Sequence, residues 1–159
     1  MARRLTPERQ RELDDLRAVF EVFGVFLDEI SPVAGHSWAG IVSAVHARGD
    51  LTGMRSIRND SIESLVAFSP AQRRELDRRL REGPGVTLDT LERQHLARID
   101  RIRAKGSIAT EQQYYLVKER IEVIWDDPER ADECRSLQAL LEDYESRVAR
   151  RIARAKLHE

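Results

Sequence analysis

The chain has 159 residues, with 27 Lys and Arg against 28 Asp and Glu, so it is nearly neutral at -1. Its charged share is 35%, against about 25% in an average soluble domain. With 8 Gly, 5 Pro and 41% apolar residues it is neither collagen-like nor low-complexity, and recurrent Leu, Ile, Val and Phe at low net charge exclude full disorder. The lone Cys134 excludes an intramolecular disulfide and a Cys-rich zinc module, and fits a reducing, cytoplasmic setting.

The start, Met1-Ala2-Arg3-Arg4-Leu5, is basic like that of a signal peptide. Pro7, Glu8, Arg9 and Glu12 then stand where the apolar core of such a peptide belongs, so no secretory signal is expected. Thr6-Pro7-Glu8 reads as a helix start, a cap oxygen followed by a proline whose missing N–H costs nothing there. In the helix that follows, Leu13, Leu16, Phe20, Phe23, Leu27 and Ile30 recur every three or four residues and share one face. Val19 and Phe26 widen this stripe, and Val22 and Val25 carry it round the back, so the helix end is expected to be enclosed. Residues 20–27 form the most apolar stretch, far shorter than the roughly 20 residues of a membrane span, and no membrane partner is expected.

Gly35-His36-Ser37-Trp38-Ala39-Gly40 resembles the nucleophile elbow of α/β-hydrolases, except that Ala39 stands where the second glycine belongs. No alternating βα units surround it, which favours a loop in which Ser37 caps the next helix and Trp38 docks in the core. That helix carries Trp38, Ile41, Val42 and Val45, and Gly49 ends it. A third helix fits residues 51–68, and inside it lies the polar cluster Arg55, Arg58, Asn59, Asp60 and Ser61. Two readings stand here: a partly buried network or recognition surface on one helix face, or a break at Asn59 with Asp60 or Ser61 capping a new helix.

Ser69-Pro70-Ala71 and Asp127-Pro128-Glu129 repeat the cap-proline start, Thr87 begins another helix, and Thr110 with Gln113 forms a capping box. Gly106 reads as a helix stop. Nothing alternates with period two for long enough to form a sheet, so the expected fold is all-α, a single-domain bundle of about six to seven helices with a long C-terminal helix. Glu82-Gly83-Pro84-Gly85 is the one linker-like stretch, dividing 1–82 from 87–159 as sub-layers of one domain, 1–159.

Around Gly106, residues 99–121 have the outline of a helix-turn-helix. Glu111, second in the downstream helix, would repel a nucleic-acid backbone, which favours an ordinary hairpin with Tyr114 or Tyr115 packed on the earlier helix. The four histidines, His36, His46, His95 and His158, show no paired metal spacing, and Glu92-x-x-His95 occurs once where a di-iron bundle needs two copies. No metal, cofactor or catalytic set is assigned.

The last helix carries Cys134, Leu137, Leu141, Tyr144, Val148, Ile152 and Ala155 in one stripe, with Arg147, Arg150, Arg151 and Arg154 in a second stripe beside it. Eight acids crowd residues 126–145, whereas 146–158 hold five bases and no acid. That polarity either complements the helix dipole or forms a binding face. Of the 27 basic residues only Lys105, Lys118 and Lys156 are lysines. Gly-x-Ile-x-Thr-Glu-x-x-Tyr from Gly106, with a later Leu-Leu-x-x-Tyr-Glu, resembles small bacterial proteins without attaching to a family. The function expected is a non-enzymatic protein–protein interaction or regulatory module, binding a protein partner or itself, as a homodimer, through helical faces. The alternatives are a nucleic-acid-binding regulator using the four tail arginines, less favoured because the chain lacks net positive charge, and an enzyme with a site near His36, Ser37 and His46.

Overall fold

Helix starts fall where the cap residues put them. The computed structural model describes residues 4–158, and among these the chain is all-α. Met1, Ala2 and Arg3, the first residues of the basic start, lie outside the described range, as does Glu159. The helices are α1 (Pro7–Ile30), α2 (Trp38–Ala47), α3 (Leu51–Ser64), α4 (Pro70–Glu82), α5 (Leu88–Lys105), α6 (Glu111–Ile124) and α7 (Ala131–Lys156). Thr6, Ser37, Asp50, Ser69 and Thr110 each accept a first-turn amide N–H of the helix they open, and Thr87 accepts from Thr90 N. The reciprocal capping box forms at Ser69 and Gln72; at Thr110, Gln113 accepts instead from Ala109 N. Gly49 and Gly106, past the ends of α2 and α5, adopt φ of 66° and 77°, the left-handed turn that glycine enters without a Cβ clash.

The chain parts into two compact units, residues 4–94 and 95–158, the boundary falling within α5. Gly83-Pro84-Gly85 is the turn between α4 and α5, inside the first unit. In that unit α1 packs against α2, α3 and α4. Leu13, Phe20 and Phe23 of α1 meet Val42 and Val45 of α2, Met54 and Ile62 of α3, and Leu76 and Leu80 of α4 in one core. Each such side chain contributes about 1.5–3 kcal/mol on full burial. In the second unit α6 and α7 pair as a hairpin, and Leu116, Val117, Ile124, Cys134, Leu137 and Leu140 share a core with Ile99, Ile102 and Ile108.

The open alternative in α3 is settled, and the expectations for Trp38 and the end of α1 are corrected. Helix α3 runs unbroken through Asn59 and Asp60, because Asn59 is only 4% exposed and the buried flank of Met54, Ile62 and Leu65 overrides its turn preference. Trp38 stays 41% exposed, set edge-on to the His36 ring, and Val25 faces solvent, so α1 is not enclosed at its end. Asp127 caps the C-terminal helical run as expected, its first turn, Pro128–Arg130, being 3-10 and continuing directly into α7. Tyr114 packs against the core that includes Ile99 and Ile102 of α5 and also stacks on Tyr144 of α7, with its hydroxyl donating to Glu145, while Tyr115 is exposed.

Along α4, Arg78 and Arg79 both bond Glu75 and hold its carboxyl down to about 2 from an ordinary 4.5. A carboxylate depressed in the folded state contributes stability above its unfolded value and loses it as pH falls through the folded value. Glu75 is therefore expected to titrate near 2 in a carboxyl-resolved NMR titration, with its contribution fading between about pH 4.5 and 2. A value near 4.5 would mean that the two arginines do not hold it.

Candidate functional site

At the start of α2, the Ser37 hydroxyl donates to Asp28 Oδ2 at 3.0 Å and accepts from Gly40 N at 3.0 Å. Asp28 also accepts from the amides of Trp38 (2.7 Å) and Ala39 (3.2 Å), so two side chains cap one helix. The Trp38 amide, with those of Ala39 and the Ser37 hydroxyl, holds the Asp28 carboxyl below its usual range against the opposing effect of burial. Ser37 thus has a capping role, with its carboxylate partner supplied by the preceding helix. The strained strand-to-helix turn of a nucleophile elbow does not occur here.

His46 Nε2 lies 2.7 Å from Asp14 Oδ1 across α1 and α2, and Arg17 lies 3.5 Å from Nδ1. This bond, joined by one from Gln10, lowers the Asp14 pKa. His46 and Ser37 are therefore drawn to different acids, one to Asp14 and the other to Asp28. His95 is buried, and Glu92 pairs with Arg73. Among the described residues no three His, Cys, Asp or Glu side chains cluster as a metal site, and none of their helices is long and apolar enough to cross a membrane.

The polar cluster of α3 divides by role. Arg55 grips Glu12 of α1 with two bonds, at 2.7 and 2.8 Å, which lower the Glu12 pKa and raise that of Arg55. Arg58 Nε reaches Asn59 Oδ1 at 3.4 Å, and burial lowers the Arg58 pKa. Arg55 thus ties α3 to α1, while the Arg58–Asn59 bond lies within α3, with Asn59 buried. Asp60 separates from them: it lines a cleft together with Ser61 and Ser64 of α3.

The tail arginines divide in the same way. Arg147 bonds Asp143, lies over the Tyr144 ring and donates to the Ile108 carbonyl at 2.7 Å, locking α7 to the turn before α6. Arg150 donates to the Ser146 carbonyl one turn back, while Arg151 and Arg154 meet no acid among the described residues. From position 149 onward every described residue is exposed, including Ile152 at 53% and Leu157 at 85%. With 26 residues against 14, α7 is about 39 Å long and α6 about 21 Å, so the apolar stripe outruns its covering helix. The end of α7 is an amphipathic helix with one apolar edge, an arginine edge and no partner among the described residues.

Sequence reading missed the α3 cleft because Trp38 was assigned to the core. A signal was present: Ile57, Asp60, Ser61 and Ser64 recur at helical spacing on one face, with polar residues where core residues would otherwise continue. Comparison with known protein families, curated proteins and solved structures finds no match to this chain.

Proposed function

We propose that the protein is a non-enzymatic interaction module whose docking element is the basic, amphipathic end of α7. The observation that carries this reading is that every residue from 149 to 158 is exposed, with Ile152 and Leu157 lying among Arg150, Arg151, Arg154 and Lys156. An unpaired helix of this kind is completed by a partner that supplies an apolar seam and opposite charge. Residues 146–158 hold no acid, so two copies of this end laid together would set arginine against arginine. The favoured partner is therefore an acidic amphipathic helix of another protein.

A fluorescein-labelled synthetic helix with a leucine seam flanked by glutamates tests the reading. Anisotropy should show binding that falls tenfold or more when Arg150→Glu, Arg151→Glu and Arg154→Glu are combined. Duplex DNA is the competing probe. Phosphate contacts by those three arginines would give a log affinity against log salt slope of about -2.7. Tight duplex binding with that slope, and none of the acidic helix, would replace the protein-partner reading with the nucleic-acid one. Removing the chain from residue 149 onward should leave unfolding free energy within about 1 kcal/mol of the intact chain, as expected for a segment whose described residues are all exposed. A larger loss in urea unfolding would show that the end packs within the molecule.

A further inference from the structure

We propose that the cleft between α1, α2 and α3 binds a small lipophilic ammonium compound, its charge against Asp60 and its apolar body against Trp38 and Ile41. The cleft opens to solvent at its exposed residues Trp38, Ile41 and Asp60, and about 280 Å3 stays open within it, where Gly24 forms part of the wall. Phe20, Leu27, Val42 and Ile57 make the rest of it apolar. Trp38 and Ile41 stand part-exposed, at 41% and 38%, so wide apolar surface is on offer to a guest. The polar groups gather on α3, where Asp60 is the one ionisable side chain in the lining and has no ion-pair partner among the described residues.

Charge fixes the class of ligand. The α2 N-terminus, which lies at the cleft and would otherwise attract an anion, is already occupied: Asp28 holds the Trp38 and Ala39 amides and Ser37 that of Gly40. What remains is a carboxylate, the Ser61 hydroxyl and an indole ring, the Ser64 hydroxyl being engaged with the Ser61 carbonyl at 2.6 Å, and both the carboxylate and the π face favour a cation. A few polar groups converging on an apolar hollow are the usual makeup of a small-molecule site.

Trp38 reports on the cleft directly, once the exposed Trp125 is replaced as Trp125→Phe to remove the second indole signal. Phenethylamine, neutral phenethyl alcohol and 3-phenylpropionate are titrated at pH 7. The amine is expected to change Trp38 fluorescence saturably, with an affinity at least tenfold above that of the alcohol, and the carboxylate to bind most weakly. Asp60→Asn, with circular dichroism confirming the helices, should erase the preference for the amine over the alcohol. The inference is overturned if the three compounds bind alike or none binds at millimolar concentration, or if the preference survives Asp60→Asn. It is likewise overturned if sedimentation shows a second copy of the chain closing the cleft while the amine leaves Trp38 unchanged. The comparison of the three compounds needs no change at Asp60, so it stands even if that variant misfolds.

Discussion

Glu133→Leu is expected to destabilise the second unit by about 3 kcal/mol or more, a cost set by the charge it strands. Arg120 is only 8% exposed, and its Nε lies 2.9 Å from Glu133 Oε1. Without Glu133, a guanidinium remains buried and unpaired. Arg120→Leu should cost less, because Glu133 keeps Arg130, 3.2 Å away on the solvent side. The double variant Arg120→Leu with Glu133→Leu should recover most of the loss, since an apolar pair can replace a buried ion pair. A double-mutant cycle in urea checks this, and additive losses would contradict it. Burial pushes the Glu133 pKa up, but the Arg120 bond and charge, with those of Arg130, outweigh it and the net shift is downward. The pair therefore stabilises the fold above the ordinary glutamate value and loses that contribution as pH falls through the lowered one.

Gly24→Ala is the second large effect, expected to lower stability by about 1–2 kcal/mol although alanine gains about 1 kcal/mol over glycine in a helix interior. A Cβ on Gly24 would sit 2.7 Å from Ala39 N and 2.8 Å from Ala39 Cα. Both contacts are backbone, so α1 and α2 must move apart. Gly24→Val, bulkier and β-branched, should cost about 3 kcal/mol. Chemical unfolding measures both, and a stabilised Gly24→Ala would show that the two helices separate without cost.

These two sites mark where sequence stops being informative. Caps at Thr6, Ser37, Ser69 and Thr110 are legible because each acts on an amide three residues away, within reach of local pattern. Apolar spacing likewise placed Phe20, Phe23 and Leu137 in cores. The Gly24 contact with Ala39 and the Asp28 cap on α2 depend on how α1 meets α2 around the loop between them, which no spacing rule states. Arg147 and Arg151 look alike in the arginine stripe, yet only Arg147 lies at the level of the Ile108 carbonyl and turns inward. Asn59 shows a different limit: local pattern left a break and a continuous, partly buried face equally open, and burial against the core decides for the continuous helix. The exposed end of α7 was half visible. Its stripe and charge were plain in the sequence, while the absence of a covering helix followed only from the ends of α6.

Amide hydrogen exchange along α7, with and without the acidic leucine-seam peptide, tests the docking role most directly. Amides at 149–157 should exchange quickly in the free protein, those around Leu137 and Leu140 slowly, and the peptide should protect the terminal segment alone. Terminal amides that are already protected in the free protein, or that the peptide leaves unchanged, would contradict a docking role for this end of the helix.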